Sequence, residues 1–206
     1  MRATGPGDTT TRVGNDHAFP TALLSDAADG RVTLDARIRP IWPGARLAGT
    51  AFTVRTPPGE HYSVKQAALS AGPGDVIVID AGGTTDFALW GDILARVALE
   101  RGLAGLVVDG AIRDAEEIER LGFPVFAAAV IPAGPRGKAT PGEIGVPIRC
   151  GGIAVEPGDI VYGDRDGVVV IPRAQHDAVL ERARAQELAE QEILRELLAS
   201  ARVDHQ

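Results

Sequence analysis

Residues 91–114 constrain the fold of this chain more than any other segment. They begin with Gly91-Asp92, continue through apolar residues in helical spacing, stop at Gly102, enter a second apolar run at residues 106–108, and are predicted to end in a turn at residues 109–114. The helical stripe consists of Ile93, Leu94, Val97, Ala98 and Leu99. Apolar residues at this spacing face one side of a helix, and glycine commonly ends helices. The segment therefore predicts a helix followed by a strand, the repeating unit of α/β folds.

Both ends of this segment carry charge, at Asp92 and at Arg113-Asp114. An earlier apolar run at residues 76–79 predicts a parallel strand, which the helix connects to the next by a right-handed crossover. The helix start and the Arg113-Asp114 turn then lie near the carboxyl ends of the strands, where open α/β sheets bind ligands. Helix N–H groups attract carboxylates, arginine binds carboxylate or enolate oxygens, and aspartate binds hard cations. This edge is thus predicted to bind a small acidic substrate and a metal.

Composition narrows the choice of partners. The chain has 206 residues, is 45% hydrophobic, and carries a formal net charge of -7. An acidic surface argues against nucleic acid or an anionic membrane as a partner. Cys150 is the only cysteine, so no internal disulfide is possible, and we expect it to be a buried structural thiol. No signal peptide or bilayer-length apolar run is evident, and we expect a soluble cytoplasmic protein.

The remainder of the chain alternates between helical and extended patterns. Residues 1–19 are predicted to be a flexible arm, and Thr21 to cap the first helix. Helices are predicted at residues 21–30, 61–71 and 114–121, and strands at 48–54, 75–80 and 124–129. Such alternation indicates a mainly parallel sheet covered by helices.

The pattern changes after residue 130. Residues 131–145 contain three prolines and four glycines and predict a long surface loop. Short strands are then predicted at 146–149, 152–155, 159–162 and 168–171, separated by Glu-Pro-Gly-Asp and Asp-Arg-Asp-Gly turns, and they are expected to form an antiparallel second layer. Residues 173–201 predict a final helix of about 40 Å, which is longer than one domain of this size needs. We therefore expect its end to reach a neighbouring subunit.

A family resemblance rests on the same charged residues. Asp92, twenty intervening residues and then Arg113-Asp114 resemble the signature of the metal-dependent pyruvate aldolases that cleave 4-hydroxy-4-methyl-2-oxoglutarate. The same family includes proteins described as regulators of ribonuclease activity A. Further similar blocks occur in family order at residues 25–30, 39–55, 72–83 and 163–172, so the resemblance covers roughly residues 20–200.

The resemblance implies a fold and an activity. The fold is a single α/β domain of the swivelling β/β/α type over residues 20–206, with a mainly parallel sheet, an antiparallel second layer and a long C-terminal helix. The activity is retro-aldol cleavage of a 4-hydroxy-2-oxo acid to pyruvate, with decarboxylation of oxaloacetate through the same enolate. The assembly is a homotrimer or hexamer.

Residue roles follow from the same resemblance. Asp114 would bind Mg²⁺ or Mn²⁺, while Asp92 and a glutamate lent by a neighbouring subunit, Glu190 or Glu187, would hold the metal's waters. The substrate carboxylate would bind at the helix start, where Gly91, Ile93 and Leu94 lie, and Arg113 would stabilise the enolate oxygen. No histidine is placed by sequence to take the 4-hydroxyl proton, so a water on the metal is the expected base.

Other chemistries fit the residues less well. The four histidines, His17, His61, His176 and His205, lack the spacing of zinc ligands. Schiff-base chemistry needs a desolvated lysine, and the only lysines are Lys65, on a predicted helix face, and Lys138, in the predicted loop. Aldol chemistry would therefore have to be metal-assisted.

Each site residue also has an ordinary structural explanation. Asp114 with Glu117 has the spacing of a capping box, Arg113 could form a surface ion pair, and Asp92 suits a first helical turn. A non-catalytic regulator that binds ribonuclease or helicase partners stays open as the alternative function. Only the joint occurrence of these residues at one sheet edge favours the enzyme.

Overall fold

The computed structural model describes residues 19–135 and 141–203. Within these ranges the chain alternates between strands and helices until a long helix closes the fold. The helices are α1 Thr21–Ala27, α2 Tyr62–Ser70, α3 Asp92–Glu100, α4 Ala115–Leu121 and α5 His176–Val203. The strands are β1 Arg39–Pro40, β2 Leu47–Arg55, β3 Asp75–Asp80, β4 Ala88–Trp90, β5 Gly105–Ile112, β6 Val125–Val130, β7 Glu143–Ile144, β8 Ile148–Cys150, β9 Ile153–Val155, β10 Ile160–Asp164 and β11 Gly167–Ile171.

Most of the strands belong to one mixed sheet with the order β1-β6-β5-β3-β2-β10-β11. Its centre is parallel, from β2 through β3 and β5 to β6, and β1, β10 and β11 join antiparallel at the sides. The Arg39 guanidinium donates to the carbonyl oxygen of Asp166 at 2.7 Å, joining the two ends of the sheet. The sheet is therefore nearly barrel-shaped, and the α/β class with a long C-terminal helix is confirmed.

The antiparallel second layer is smaller than the sequence predicted. Among the described residues, only β8 and β9 form a separate two-stranded sheet, whereas β10 pairs with β2 in the main sheet and β11 pairs with β10. The predicted placement of β10 and β11 in the second layer is therefore wrong. Both strands are buried at every position, which suits a sheet strand covered on both faces.

Three apolar clusters hold these layers together. Helices α2, α3 and α4 pack on one face of the central strands, and β8 and β9 cover the other face. Helices α1 and α5 cover β10 and β11 through residues that include Leu24, Val179 and Ala183. Cys150, the last residue of β8, is buried against the main sheet, as predicted.

Several boundaries differ from the sequence prediction. Residues 109–114 were expected to form a turn, but residues 109–112 continue β5, where the pairing with β6 shifts register after Val108. The short strands β1, β4 and β7 were not predicted. Thr21 does not cap α1, because its hydroxyl and N–H both donate to the Asp164 carboxylate, at 2.6 and 2.9 Å.

The two ends of the chain differ in how far the structure describes them. Of the predicted arm, residues 1–18 lie outside the described residues, and Phe19 is buried beside α1. In α5, burial ends near Ala183, and the large apolar residues beyond it are exposed: Leu188, Ile193, Leu194, Leu197 and Leu198. Among the residues that the structure describes, no helix combines the length and apolarity needed to cross a membrane.

Candidate active site

Strands β4 and β5 bring the two charged ends of the central segment together. They pair in parallel, with Ala88 opposite Ala111 and Trp90 opposite Ile112. Gly91 follows β4 and Arg113 follows β5, and the Arg113 N–H donates to the Trp90 carbonyl at 3.0 Å. The start of α3 and the Arg113-Asp114 turn therefore lie side by side at the carboxyl ends of two parallel strands. The unpredicted strand β4, rather than β3, delivers the start of the helix.

The backbone of Asp114 is left-handed, with φ 59° and ψ 39°. It is the only residue other than glycine with positive φ in the described part of the chain. Its carbonyl accepts the N–H groups of Glu117 and Ile118 and so begins α4, but its side chain makes no cap. The carboxylate instead turns towards α3, where Oδ2 lies 3.3 Å from the Asp92 nitrogen. The predicted capping box with Glu117 is absent, because a left-handed residue directs its side chain elsewhere.

Gly91 provides the space for that carboxylate. A Cβ built on Gly91 would lie 2.5 Å from Asp114 Oδ2 and 3.3 Å from the Arg113 side chain. Its φ of -158° is an extended value open to any residue, so the requirement is for space and not for backbone freedom. A glycine at this position is therefore needed for the approach of Asp114 to α3.

Arg113 lies against the same carboxylate. Its Nε is 3.3 Å from Asp114 Oδ2, and its side chain is 42% exposed. On its other side is Gly134, where an added Cβ would lie 2.9 Å from Nη1. Gly134 thus lies close to the guanidinium although it belongs to the predicted loop, and loop composition alone does not reveal this.

The start of α3 presents two free donors. The first intrahelical bond runs from the Ala95 N–H to the Gly91 carbonyl, at 3.1 Å, and the Asp92 N–H faces Asp114. The N–H groups of Ile93 and Leu94 have no partner among the described residues. The Asp92 carboxylate points along the helix, with Oδ2 3.7 Å from Arg96 Nε. The helix start can therefore bind one further anion.

These groups surround a cavity of about 190 Å³. Gly91, Asp92, Ile93, Leu94, Arg113 and Asp114 all line it, so the structure places six of the seven residues predicted from sequence around one space. Ala88, Leu89, Trp90 and Pro135 form apolar walls. Of these wall residues, Trp90 also stacks on the ring of Phe123, with the ring centroids 6.1 Å apart.

The seventh predicted residue, Glu190, does not line this cavity. It lies on the exposed half of α5, where its Oε1 accepts a hydrogen bond from Gln186 at 3.0 Å. Glu187, the alternative, is on the same exposed stretch. Action on a neighbouring subunit's site stays a prediction for both residues.

Two further cavity residues, His61 and Lys65, were missed by sequence reasoning. They lie one turn apart at the start of α2, with the Lys65 N–H donating to the His61 carbonyl at 3.0 Å. Burial lowers the pKa of His61; Arg113 and Lys65 lower it further, whereas Glu60 opposes them. The expectation that no histidine reaches the site was therefore wrong. An i, i+4 spacing on a predicted helix was the only signal in the sequence.

The donor set limits which metal the cavity can hold. Asp114 Oδ1 has no hydrogen-bond partner among the described residues, so one carboxylate oxygen is available. No group of three or more His, Cys, Asp or Glu side chains that could enclose a metal occurs within residues 19–135 and 141–203. Zinc sites built from several His or Cys ligands do not fit this arrangement. A hard ion such as Mg²⁺, which keeps most of its waters and accepts one or two carboxylates, does fit.

The fold and the cavity define a class: α/β proteins that hold an aspartate and an arginine against a helix start, suited to a small anionic ligand. Residues 21–170 match the RraA-like family model, described as Aldolase/RraA, and the chain belongs to this family. A Halalkalibacterium halodurans protein, named as a candidate 4-hydroxy-4-methyl-2-oxoglutarate aldolase, is 43% identical over 81% of this chain and 79% of its own length.

Solved structures support the same family. An uncharacterised protein from Pseudomonas syringae pv. tomato superposes with a TM-score of 0.79 at 33% identity, over 88% of this chain and 89% of its own. The RNA-processing inhibitor RraA from Thermus thermophilus superposes with a TM-score of 0.68 at 34% identity, over 75% of this chain and 93% of its own. The family thus contains relatives named for an aldolase activity and a relative named as an inhibitor.

Proposed function

We propose that this protein is a divalent-metal-dependent aldolase that cleaves a 4-hydroxy-2-oxo acid of the 4-hydroxy-4-methyl-2-oxoglutarate type and releases pyruvate. One observation carries the proposal. The strained Asp114, the Arg113 guanidinium and two free helix N–H groups line the same cavity, with Gly91 leaving room for the carboxylate. An α4 cap or a surface ion pair would require neither the strain nor the close approach.

Asp114 would hold the metal. Its Oδ1 has no hydrogen-bond partner among the described residues, and the cavity has few other oxygen ligands, so water and substrate oxygens would complete the coordination of Mg²⁺ or Mn²⁺. A divalent cation there would supply a Lewis acid that stabilises an enolate oxygen. Asp92, next to Asp114 and only weakly paired with Arg96, is available to orient water.

The chain's own groups would bind and polarise the substrate. The N–H groups of Ile93 and Leu94 donate to the substrate carboxylate at the helix start. Arg113 places its positive charge where the enolate oxygen develops as the C3–C4 bond breaks, which favours the transition state over the ground state. The 4-hydroxyl proton leaves in the same step, and His61 offers one neutral acceptor nitrogen in the cavity beside water.

Oxaloacetate would be decarboxylated at the same site. Breaking its C3–C4 bond releases carbon dioxide and leaves the electron pair on the same pyruvate enolate. Arg113 and the helix N–H groups meet the same atoms in both reactions, so both activities should depend on the same residues.

The test is pyruvate release from 4-hydroxy-4-methyl-2-oxoglutarate and from oxaloacetate, with Mg²⁺ and with excess chelator. Asp114→Asn and Arg113→Lys should each lower kcat by roughly 100-fold or more, because each removes a group aimed at the developing charge. Arg120→Lys, a conservative change in a surface ion pair on α4, is the control and should behave like wild type. Turnover that survives both chelator and Asp114→Asn would rule out this assignment.

A homotrimer or hexamer is part of the proposal. The apolar residues on the outer half of α5 are exposed in the single chain, which is a costly arrangement unless a partner covers them. A neighbouring cavity would then receive Glu190, or Glu187, from this helix. Their carboxylates would add to the few acidic groups that the cavity has from its own chain.

The second candidate function is a non-catalytic regulator of RNA processing. The likeness to the Thermus thermophilus inhibitor and the net charge of -7, which suits a basic protein partner, favour it. A pull-down with the wild type and with Asp114→Asn, with and without chelator, separates the two functions. Capture of a defined ribonuclease or helicase that is indifferent to both changes, in a protein without turnover, would favour the regulator.

A further inference from the structure

Lys65 gives the cavity a second positive charge, separate from the Arg113 end. It projects from the first turn of α2, on the same helix face as His61, and both residues line the cavity. The first charge, Arg113, comes from the end of β5 on a different part of the wall. The cavity therefore has two cationic positions supplied by two unrelated elements.

The two cations differ in how they are neutralised. Arg113 lies 3.3 Å from the Asp114 carboxylate, and the other carboxylate of the cavity, Asp92, lies near Arg96. Lys65 forms no ion pair among the described residues. His61 adds no lasting charge near neutral pH, because its pKa is lowered. Among the described residues, Lys65 is thus the cavity cation that lacks a counter-ion.

Apolar residues separate the charged positions of the lining. Ala88, Leu89, Trp90 and Pro135 contribute to the walls and carry no charge, and the buried Trp90 Nε1–H has no hydrogen-bond partner among the described residues. A ligand that matches this lining has a carboxylate at the α3 start, an uncharged middle with hydrogen-bonding groups, and a second anionic group. Lysine binds such a group as a strong point charge on a flexible stem.

We propose that Lys65 binds the distal carboxylate of the substrate and makes the enzyme selective for dicarboxylic 4-hydroxy-2-oxo acids over monocarboxylic ones. This inference rests on the proposed aldolase function and adds the residue that distinguishes among its substrates. His61 lies one turn from Lys65 on α2 and is close enough to Arg113 for both charges to lower its pKa, so its ring suits the hydroxyl-bearing middle of the same ligand.

A role in Schiff-base formation does not explain why Lys65 lies at the cavity. That chemistry needs a lysine desolvated enough to be neutral, whereas Lys65 is exposed at the cavity rim. Borohydride reduction in the presence of pyruvate should therefore leave the protein mass unchanged. A mass increase that is lost in Lys65→Met would overturn the proposal in favour of covalent catalysis.

The experiment compares two substrates that both yield pyruvate: 4-hydroxy-4-methyl-2-oxoglutarate, with a distal carboxylate, and 4-hydroxy-2-oxopentanoate, without one. For Lys65→Met, kcat/KM on the first substrate should fall by about 10- to 100-fold, the scale of one lost hydrogen bond to a charged group. On the second substrate it should change less than about twofold. Lys65→Arg should keep most of the preference for the dicarboxylate.

Arg120→Met is the matched control, because it removes one positive charge from α4 without touching the cavity lining. An equal loss on both substrates, or no loss on either, would overturn the role of Lys65 while leaving the aldolase itself in place. Absence of wild-type turnover on both substrates and on oxaloacetate would instead be a failure of the proposed function.

Discussion

Asp114 combines an unfavourable backbone with a favourable side-chain position. A left-handed conformation costs a residue with a Cβ about 1–2 kcal/mol, although aspartate and asparagine tolerate it better than most. The compensation is that the carboxylate reaches the start of α3 while the carbonyl still begins α4. Strain of this kind at a cavity is typical of residues kept for function.

The strain can be measured by comparing two substitutions at this position. Asp114→Gly should be more stable than Asp114→Ala by about 1 kcal/mol, because only glycine adopts positive φ freely. Both variants should lose metal-dependent pyruvate release. Urea denaturation would measure the difference in free energy of unfolding, provided that the two variants have equal m-values. An alanine variant as stable as the glycine variant would show that position 114 is unstrained.

Gly91 is a second residue whose role can be isolated. Gly91→Ala should fold normally but lower kcat by about 100-fold, because a methyl group 2.5 Å from Asp114 Oδ2 must displace that carboxylate. Gly72→Ala is the control, since its Cβ would meet nothing closer than 3.7 Å. Steady-state kinetics and circular dichroism on both variants would check this. Full activity in Gly91→Ala would mean that the observed approach of Asp114 is not needed.

At the scale of elements, the start of α1 is held to the β10–β11 turn by one carboxylate. Asp164 accepts hydrogen bonds from the Thr21 N–H, the Thr21 hydroxyl and the Asp166 N–H, at 2.6–2.9 Å. Burial alone would raise the pKa of Asp164, but these bonds outweigh it and hold the pKa below its usual range. The helix is thus attached through tertiary bonds in place of a local cap.

The sign of the pH effect follows from that lowered pKa. The ionised form is favoured in the folded state, so its stabilisation is complete above the pKa of the unfolded chain, about 4, and is lost as pH falls through the lower folded value. Asp164→Asn should be about 1–3 kcal/mol less stable than wild type at pH 7, because its amide must face an N–H or hydroxyl donor. The difference should shrink below about pH 4.

Urea denaturation from pH 7 down to pH 3 would check this prediction. Asp166→Asn is the matched control, because it removes the same charge from the same turn while its side chain makes no hydrogen bond within the described residues. A constant stability gap across the pH range, or an equal loss in the control, would contradict a role for the Asp164 carboxylate.

At the scale of the whole molecule, the question is whether one chain makes a complete site. The cavity takes its residues from α2, β4, α3 and β5, yet the outer half of α5 extends from the domain with its apolar residues uncovered. A helix whose apolar residues continue past the hydrophobic core of its own domain usually packs on another chain. The proposed contribution of Glu190 makes this arrangement testable.

Two inactive variants should restore each other if Glu190 acts between subunits. Asp114→Asn and Glu190→Gln should each be nearly inactive, but co-expression with separate tags and double-tag purification should recover activity, because mixed assemblies contain intact sites. Pyruvate release per mixed assembly is the measurement. If the mixed assemblies recover no activity, Glu190 does not act on a neighbouring subunit's site. If Glu190→Gln alone is active, the same experiment should be repeated with Glu187.

The sequence by itself determined the features that arise from local chemistry. Helical spacing and a glycine stop predicted α3, apolar runs predicted β3, and the Asp92 and Arg113-Asp114 spacing indicated a ligand site at the sheet edge. Glycine and aspartate in the Asp-Arg-Asp-Gly turn predicted the β10–β11 hairpin. Each of these predictions depends only on residues that lie close together in the sequence.

The tertiary structure alone decided which distant residues meet. It placed β10 and β11 in the main sheet, used Thr21 to bind Asp164, brought His61 and Lys65 to the cavity, and placed Gly134 next to Arg113. None of these contacts has a local signature, because pairing between strands and docking of helices depend on surfaces far apart in the chain. Local periodicity tells which face of an element is apolar, but only the packed fold selects what that face meets.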